Sequence, residues 1–177
     1  MTEEKISLSK KEKIVLINQY RILSKLFPEE SSHYSELISI LQNGYSIFYS
    51  QLEQWIDDDM PMDKSKLVLN ILDLYRIIED TKRRTKDSTL IKHHYSYFQG
   101  FDGNNESECL SFSHFLIKKQ GKFSEQQDYL IKNDNLNSHM EMSEKYKAML
   151  GKWESIGRPY TLSVEQAIEI LDARHNF

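Results

Sequence analysis

The sequence predicts an all-α, multihelical fold of about eight helices. Apolar residues recur at spacings of three and four, which is the period of a helix buried on one face. Only six glycines and three prolines interrupt a chain rich in Leu, Ile, Lys, Glu and Gln, all of which favour helix. Strand-like alternation of apolar and polar residues is scarce.

Ser9 and Glu12 have the spacing of a capping box, and Ile14, Ile17, Leu23 and Leu26 supply part of a buried stripe before Pro28. A first helix is therefore expected over about Lys10 to Phe27. A second starts near Ser32, carries Tyr34, Leu37, Ile38 and Leu41 on one face, and ends at Gly44, where a left-handed cap needs glycine. A third is expected from Tyr45, with Phe48, Leu52 and Trp55 apolar. Asp57, Asp58 and Asp59 then precede Pro61, and carboxylates near a helix start suit the positive end of its dipole.

The clearest periodicity follows, with Leu67, Ile71, Leu74, Tyr75 and Ile78 predicting a long helix over about Met62 to Lys86 as the central strut. Its end carries Lys82, Arg83, Arg84 and Lys86, cations that oppose the dipole; a phosphate-binding patch is the other role open to them. Thr89 to Phe98 is a short helix or an irregular connector. In the stretch Gly100 to Leu116, Asn105 and Glu108 resemble a cap feeding a helix through Leu110, Phe112, Phe115 and Leu116 toward Gly121.

A weaker turn runs through Ser124 to Lys132, where Ser124 and Gln127 have capping spacing, and Asn133 to His139 is a turn-rich loop. Met142, Tyr146, Met149, Leu150 and Trp153 form another buried stripe, closed by Gly157 and Pro159. Ser163 and Gln166 open a last helix carrying Val164, Ala167, Ile168 and Leu171.

At 177 residues the chain has room for one sizeable core or two small lobes. The formal net charge of −4 is shared evenly, with 13 basic and 15 acidic side chains up to Ser88 and 10 and 12 thereafter. Neither half is a basic arm, so a polyanion-binding surface is not expected. Cys109 is the single cysteine, which excludes an intrachain disulfide and a thiolate-rich zinc site and fits a reduced cytoplasmic setting. The first residues lack the apolar core of a signal peptide, and no run approaches the roughly 20 apolar residues that cross a bilayer. The expectation is a cytoplasmic protein with no membrane contact.

The order of short motifs adds a family. NQY at Asn18 to Tyr20, GY at Gly44 and Tyr45, ILDLY at Ile71 to Tyr75, GFD at Gly100 to Asp102, LNSH at Leu136 to His139, EKYKAML at Glu144 to Leu150, Trp153, and PYTLS at Pro159 to Ser163 together resemble the YfbU family of bacterial proteins. The likeness runs from about Leu16 to Leu171 and departs most over Phe123 to Asn135. It implies a multihelical fold of two all-helical subdomains, here 1–86 and 87–177 within one compact unit, in a cytoplasmic protein that self-associates. It implies no established reaction, and no catalytic residue is carried over.

Candidate chemistry gathers in the polar loops. Asp102, Asn104 and Glu106 alternate like calcium ligands, but Ser107 and Ser113 stand where an EF-hand needs glycine and a bidentate carboxylate, so a backbone-bonded turn is favoured. Adjacent His93 and His94 chelate poorly together, and His33, His114, His139 and His175 are scattered. Zinc from His139 with Asp102 or Glu106, a Ser138–His139 pair, and Cys109 activated by a helix start with His139 as base are each weighed below a structural role. No phosphate-loop or dinucleotide motif occurs, so no cofactor and no metal are expected.

If the chain is an enzyme, Asp102, Asn104, Glu106, Asn137, Ser138 and His139, joined by Arg158 and Tyr160, should line one pocket. A DNA-binding pair is formally available in Ser32 to Asn43 and Tyr45 to Trp55, but the second member holds Gln51 and Gln54 and no basic residue, so nucleic acid is not the expected partner. The expected role is instead that of an interaction or regulatory protein. Ten Tyr, eight Phe and two Trp suit interfaces, so the partner expected is a second copy or another helical protein.

Overall fold

A computed structural model describes residues 6–174 and is all-α. Its α-helices are α1 (Lys10–Leu26), α2 (Ser31–Asn43), α3 (Met62–Thr85), α4 (Ser88–Lys92), α5 (Ser107–His114), α6 (Ser143–Ser155) and α7 (Val164–Leu171). Short 3₁₀ segments and one π-helical turn, Phe115–Lys119, fill the connections. Among the described residues there is no strand, and Phe101 pairs with Asn137 in a single isolated bridge. No described helix is long and apolar enough to cross a membrane.

The chain divides into two compact units, Met1–Asp59 and Met60–Phe177. The boundary therefore precedes α3 instead of following it between 86 and 87. The reason is burial: Val68, Ile71, Leu72, Leu74, Tyr75 and Ile78 of α3 are fully enclosed by residues that come later in the chain. A helix buried this completely belongs to the core that encloses it.

In Met60–Phe177, α3 packs against α5, α6 and α7. The expected stripes on α3 and α6 are buried throughout, as Leu67, Ile71, Leu74, Tyr75, Ile78, Met142, Tyr146, Met149, Leu150 and Trp153 all lie in one core. At its centre the rings of Tyr75, Phe98, Phe101 and Tyr146 meet edge-on or stacked, with centroids between 5.3 and 6.1 Å apart. These are favourable arrangements for aromatic quadrupoles. The Ser163–Gln166 capping box opens α7 as expected.

In Met1–Asp59, α1 packs on α2. The Ser9–Glu12 capping box forms, and Gly44 caps α2 at φ +71°. Two expectations fail here. Ile14 and Leu26 are 58% and 65% exposed, because α1 turns Leu16, Ile17 and Tyr20 toward α2 and has no described residue fully buried. The helix expected from Tyr45 is only a 3₁₀ segment, Ser46–Leu52, and Trp55 beyond it is 83% exposed. Asp57 to Asp59 lie outside α3, whose first-turn acid is Asp63.

Candidate functional site

The two polar loops meet. Gly100 adopts φ +87°, and a Cβ there would lie 1.8 Å from the Leu136 carbonyl oxygen, so only glycine permits the approach. The Phe101 N–H donates to the Leu136 carbonyl (3.0 Å), and the Ser138 N–H donates to the Phe101 carbonyl (3.2 Å). Beside this bridge, the Asn137 Oδ1 accepts from the Gly103 N–H (3.0 Å) and the His139 N–H (3.2 Å). The Gly100 carbonyl also accepts the buried Tyr146 hydroxyl at 2.9 Å, which ties the junction to the aromatic centre.

What the loops build is structural. Asp102, buried, accepts the Asn105 N–H (3.1 Å) and side-chain amide (2.6 Å) on Oδ2, closing an Asx turn. Glu106 Oε2 accepts from the Asp102 N–H (3.0 Å) and the Met142 N–H (2.9 Å), while Oε1 accepts from the Ser143 N–H (2.7 Å). Met142 makes no side-chain cap for α6, so Glu106 supplies the missing acceptor and a favourable charge at the positive end of the helix. Glu106, not Asn105, is also the residue that precedes α5. Both carboxylates of the loop thus accept hydrogen bonds from the chain's own donors and help to hold the two loops together.

The remaining candidates diverge. The Ser138 hydroxyl donates to the Met140 carbonyl (2.7 Å), while His139 Nε2 lies 2.9 Å from Asp134 Oδ2 with both side chains about two-thirds exposed. No hydrogen bond links Ser138 to His139, and Asn104 sits exposed at the tip of the turn. Arg158 Nη2 donates to Asn70 Oδ1 (2.9 Å), and its guanidinium lies 4.5 Å from the Trp153 ring. Tyr160, 89% exposed, borders a separate hollow with Arg76 and Arg83. Arg158 and Tyr160 therefore make no hydrogen bond to the loops: Arg158 is held by Asn70 of α3 and by Trp153 and Glu154 of α6, and Tyr160 faces the separate hollow.

Next to the junction lies an open cleft of about 630 Å³, with Asp63, Lys64 and Asn70 of α3, Glu106 and Cys109, and Lys147 of α6 among its walls. Lys64 pairs with Glu108 at 2.5 Å and Lys147 with Glu144 at 2.6 Å. Half-exposed pairs of this kind are screened by solvent and contribute little to stability. Cys109 is 3% exposed, and burial, assisted by the Glu106 charge, pushes its thiol up to about 11. It stays protonated at neutral pH, and its proposed base, His139, is engaged by Asp134. The cleft has charged walls but no assembled nucleophile and base.

The other sequence candidates resolve similarly. Among the described residues no three His, Cys, Asp or Glu side chains gather as metal ligands, and His175 lies outside those residues. Lys82 bonds Glu79, the Ser96 carbonyl and Tyr129, Arg83 pairs with Asp80, and Arg84 donates to the Leu162 carbonyl, so the end of α3 is a structural hub. The DNA-binding pair has lost its second helix to the 3₁₀ segment Ser46–Leu52. Sequence reasoning missed the Glu106 cap, because its two helical partners lie 36 and 37 residues away.

A model of the YfbU domain matches residues 6–173. A UPF0304 protein from Methanocaldococcus jannaschii is 43% identical over 169 residues, covering 94% of this chain and 99% of the relative. That relative is archaeal, so the likeness extends beyond bacterial proteins. Neither description names an activity.

Proposed function

The chain belongs to the YfbU family, and from that premise we propose that it is a cytoplasmic interaction or regulatory protein, contacting a second copy through residues 1–59. The observation that carries this role is the exposed apolar surface of that unit. Ile14, Val15, Ile22, Leu26, Phe27, Tyr45, Ile47, Phe48, Trp55 and Ile56 are all substantially exposed. Side chains of this size present on the order of 1,000 Å² together, against roughly 800 Å² per partner in a standard interface. Exposed apolar area marks an interaction surface where it is contiguous.

Val15, Ile22 and Leu26 also share one line along α1, since steps of seven and eleven residues return to within about 20° on a helix. A stripe at heptad spacing is what a second helix packs against. The enzyme alternative has less support. Its two loops do converge, but their carboxylates accept hydrogen bonds from the chain's own backbone, Arg158 is bonded to Asn70, and Tyr160 borders a separate hollow.

Light scattering over a hundredfold range of concentration tests self-association. The mass is expected to rise to that of a dimer, and an Ile22→Glu substitution is expected to shift the midpoint at least tenfold. A monomer mass at every concentration would overturn the role of a second copy.

A further inference from the structure

Within residues 1–59, the side chains of Tyr20, Glu30, His33, Tyr34 and Trp55 border an open hollow of about 410 Å³. Its other walls are apolar or amide, and none of its lining residues is lysine or arginine. The Tyr20 and Tyr34 rings stack at 22° with centroids 6.1 Å apart, and the His33 ring lies 5.6 Å from that of Tyr34. The Tyr34 hydroxyl donates to Glu30 Oε2 at 2.7 Å, which fixes the carboxylate beside the rings. Burial pushes the Tyr20 phenol up and the Glu30 hydrogen bond pushes Tyr34 up, so both rings stay neutral.

Charge points the same way. Residues 1–59 hold six basic and ten acidic side chains, whereas residues 60–177 hold seventeen of each, so the whole net charge of −4 belongs to the first unit. From Leu26 to Asp59 there are seven carboxylates and no lysine or arginine. Neutral phenol faces, one anchored carboxylate and no lysine or arginine in the lining suit an organic cation. A guanidinium fits better than an ammonium, because it is planar, weakly hydrated, stacks on rings and pairs side-on with a carboxylate.

We propose that this hollow is a docking pocket for an arginine side chain of a partner protein, with the guanidinium against the Tyr20, Tyr34 and Trp55 rings and paired with Glu30. The pocket is open, and Ile56 beside Trp55 and Ile47 nearby in the chain leave exposed apolar area for a macromolecule to cover. That favours a side chain presented by a protein over a free metabolite. The proposal rests on the chain being an interaction protein and adds the chemistry of the contact.

Trp55 is exposed and Trp153 buried, so tryptophan fluorescence of the full chain reports on the pocket. The titrants are acetyl-Gly-Arg-Gly-amide and the same peptide with citrulline, which keeps the shape and loses the charge. The arginine peptide is expected to give a saturable change in the millimolar range, with citrulline at least tenfold weaker. Glu30→Gln, which keeps an acceptor for Tyr34, should weaken the arginine peptide about tenfold while leaving the helical circular dichroism unchanged. Trp55→Phe should abolish the signal.

Equal responses to arginine and citrulline, no response, or an unchanged response in Glu30→Gln would overturn the pocket. Binding of free arginine without binding of the peptide would overturn the protein partner. A chain that self-associates but ignores the arginine peptide sinks the pocket alone. A monomeric chain that binds the peptide sinks self-association alone.

Discussion

Residues 60–177 enclose a continuous core around α3, while among the described residues of 1–59 only Leu37, Ile40, Leu41 and Tyr49 are fully buried large apolar side chains. The first unit also leaves ten large apolar side chains exposed and carries the entire net charge. Size accounts for part of the contrast. Two helices and two 3₁₀ segments form a single layer pair, and a unit of that length buries a smaller share of its surface than one twice as long. The difference lies in how the surface is used: the larger unit commits many of its polar groups to holding itself together, and the smaller one leaves the apolar side chains exposed that the proposed contact would cover.

Two glycines break or sharpen this contrast most strongly. Gly100→Ala drives a Cβ into the Leu136 carbonyl at a position that also needs positive φ. It is expected to cost at least about 3 kcal/mol in urea unfolding, with loss of the tertiary signal of the aromatic centre. Gly44→Ala in the smaller unit has open space and only the left-handed backbone to offset, and should cost about 1 kcal/mol. Equal losses would show that the two units are built to similar tolerances and would break the contrast.

Next in size is Glu106→Ala. It strips the acceptor from three backbone N–H groups at the start of α6 and the GFD turn, and is expected to cost about 2–3 kcal/mol. A loss below about 0.5 kcal/mol would mean that solvent replaces the carboxylate and that the junction is not held by it. The smallest effect belongs to Ile22→Glu, which should change the stability of the separated monomer by no more than about 0.5 kcal/mol, since the site is exposed on a helix. A larger destabilisation would place Ile22 in a core of its own chain.

How legible these features were in the sequence follows the same division. The helices α3 and α6 were readable because each has one stripe that is wholly buried, so the apolar period and the burial coincide. Both capping boxes were readable because their partners are three residues apart. The segment after Gly44 was misread as a helix. Its Ser, Ile, Phe and Tyr residues are weak helix formers, and no second layer buries Phe48 or Trp55 to compensate.

The candidate site was legible only in location. A shared pocket requires Gly100–Glu106 to meet Leu136–His139, and the two stretches do meet, yet the sequence does not show what their residues do there. Glu106 reads as a loop acid, and only the fold brings the start of α6 to its carboxylate. Arg158 and Tyr160 carry suitable chemistry in the sequence, but the fold bonds Arg158 to Asn70 and turns Tyr160 to a separate hollow. The aromatic hollow draws on Tyr20 of α1, Glu30 of the 3₁₀ turn Pro28–Glu30, Tyr34 of α2 and Trp55 in the turn after Ser46–Leu52, which share no period.

Amide hydrogen exchange of the full chain at two protein concentrations tests the central claim most directly. If residues 1–59 are the contact surface for a second copy, their exchange slows as concentration rises, first along α1 and around Ser46–Leu52, while residues 60–177 exchange at unchanged rates. Protection that is independent of concentration throughout, or that rises in residues 60–177 instead, would contradict it.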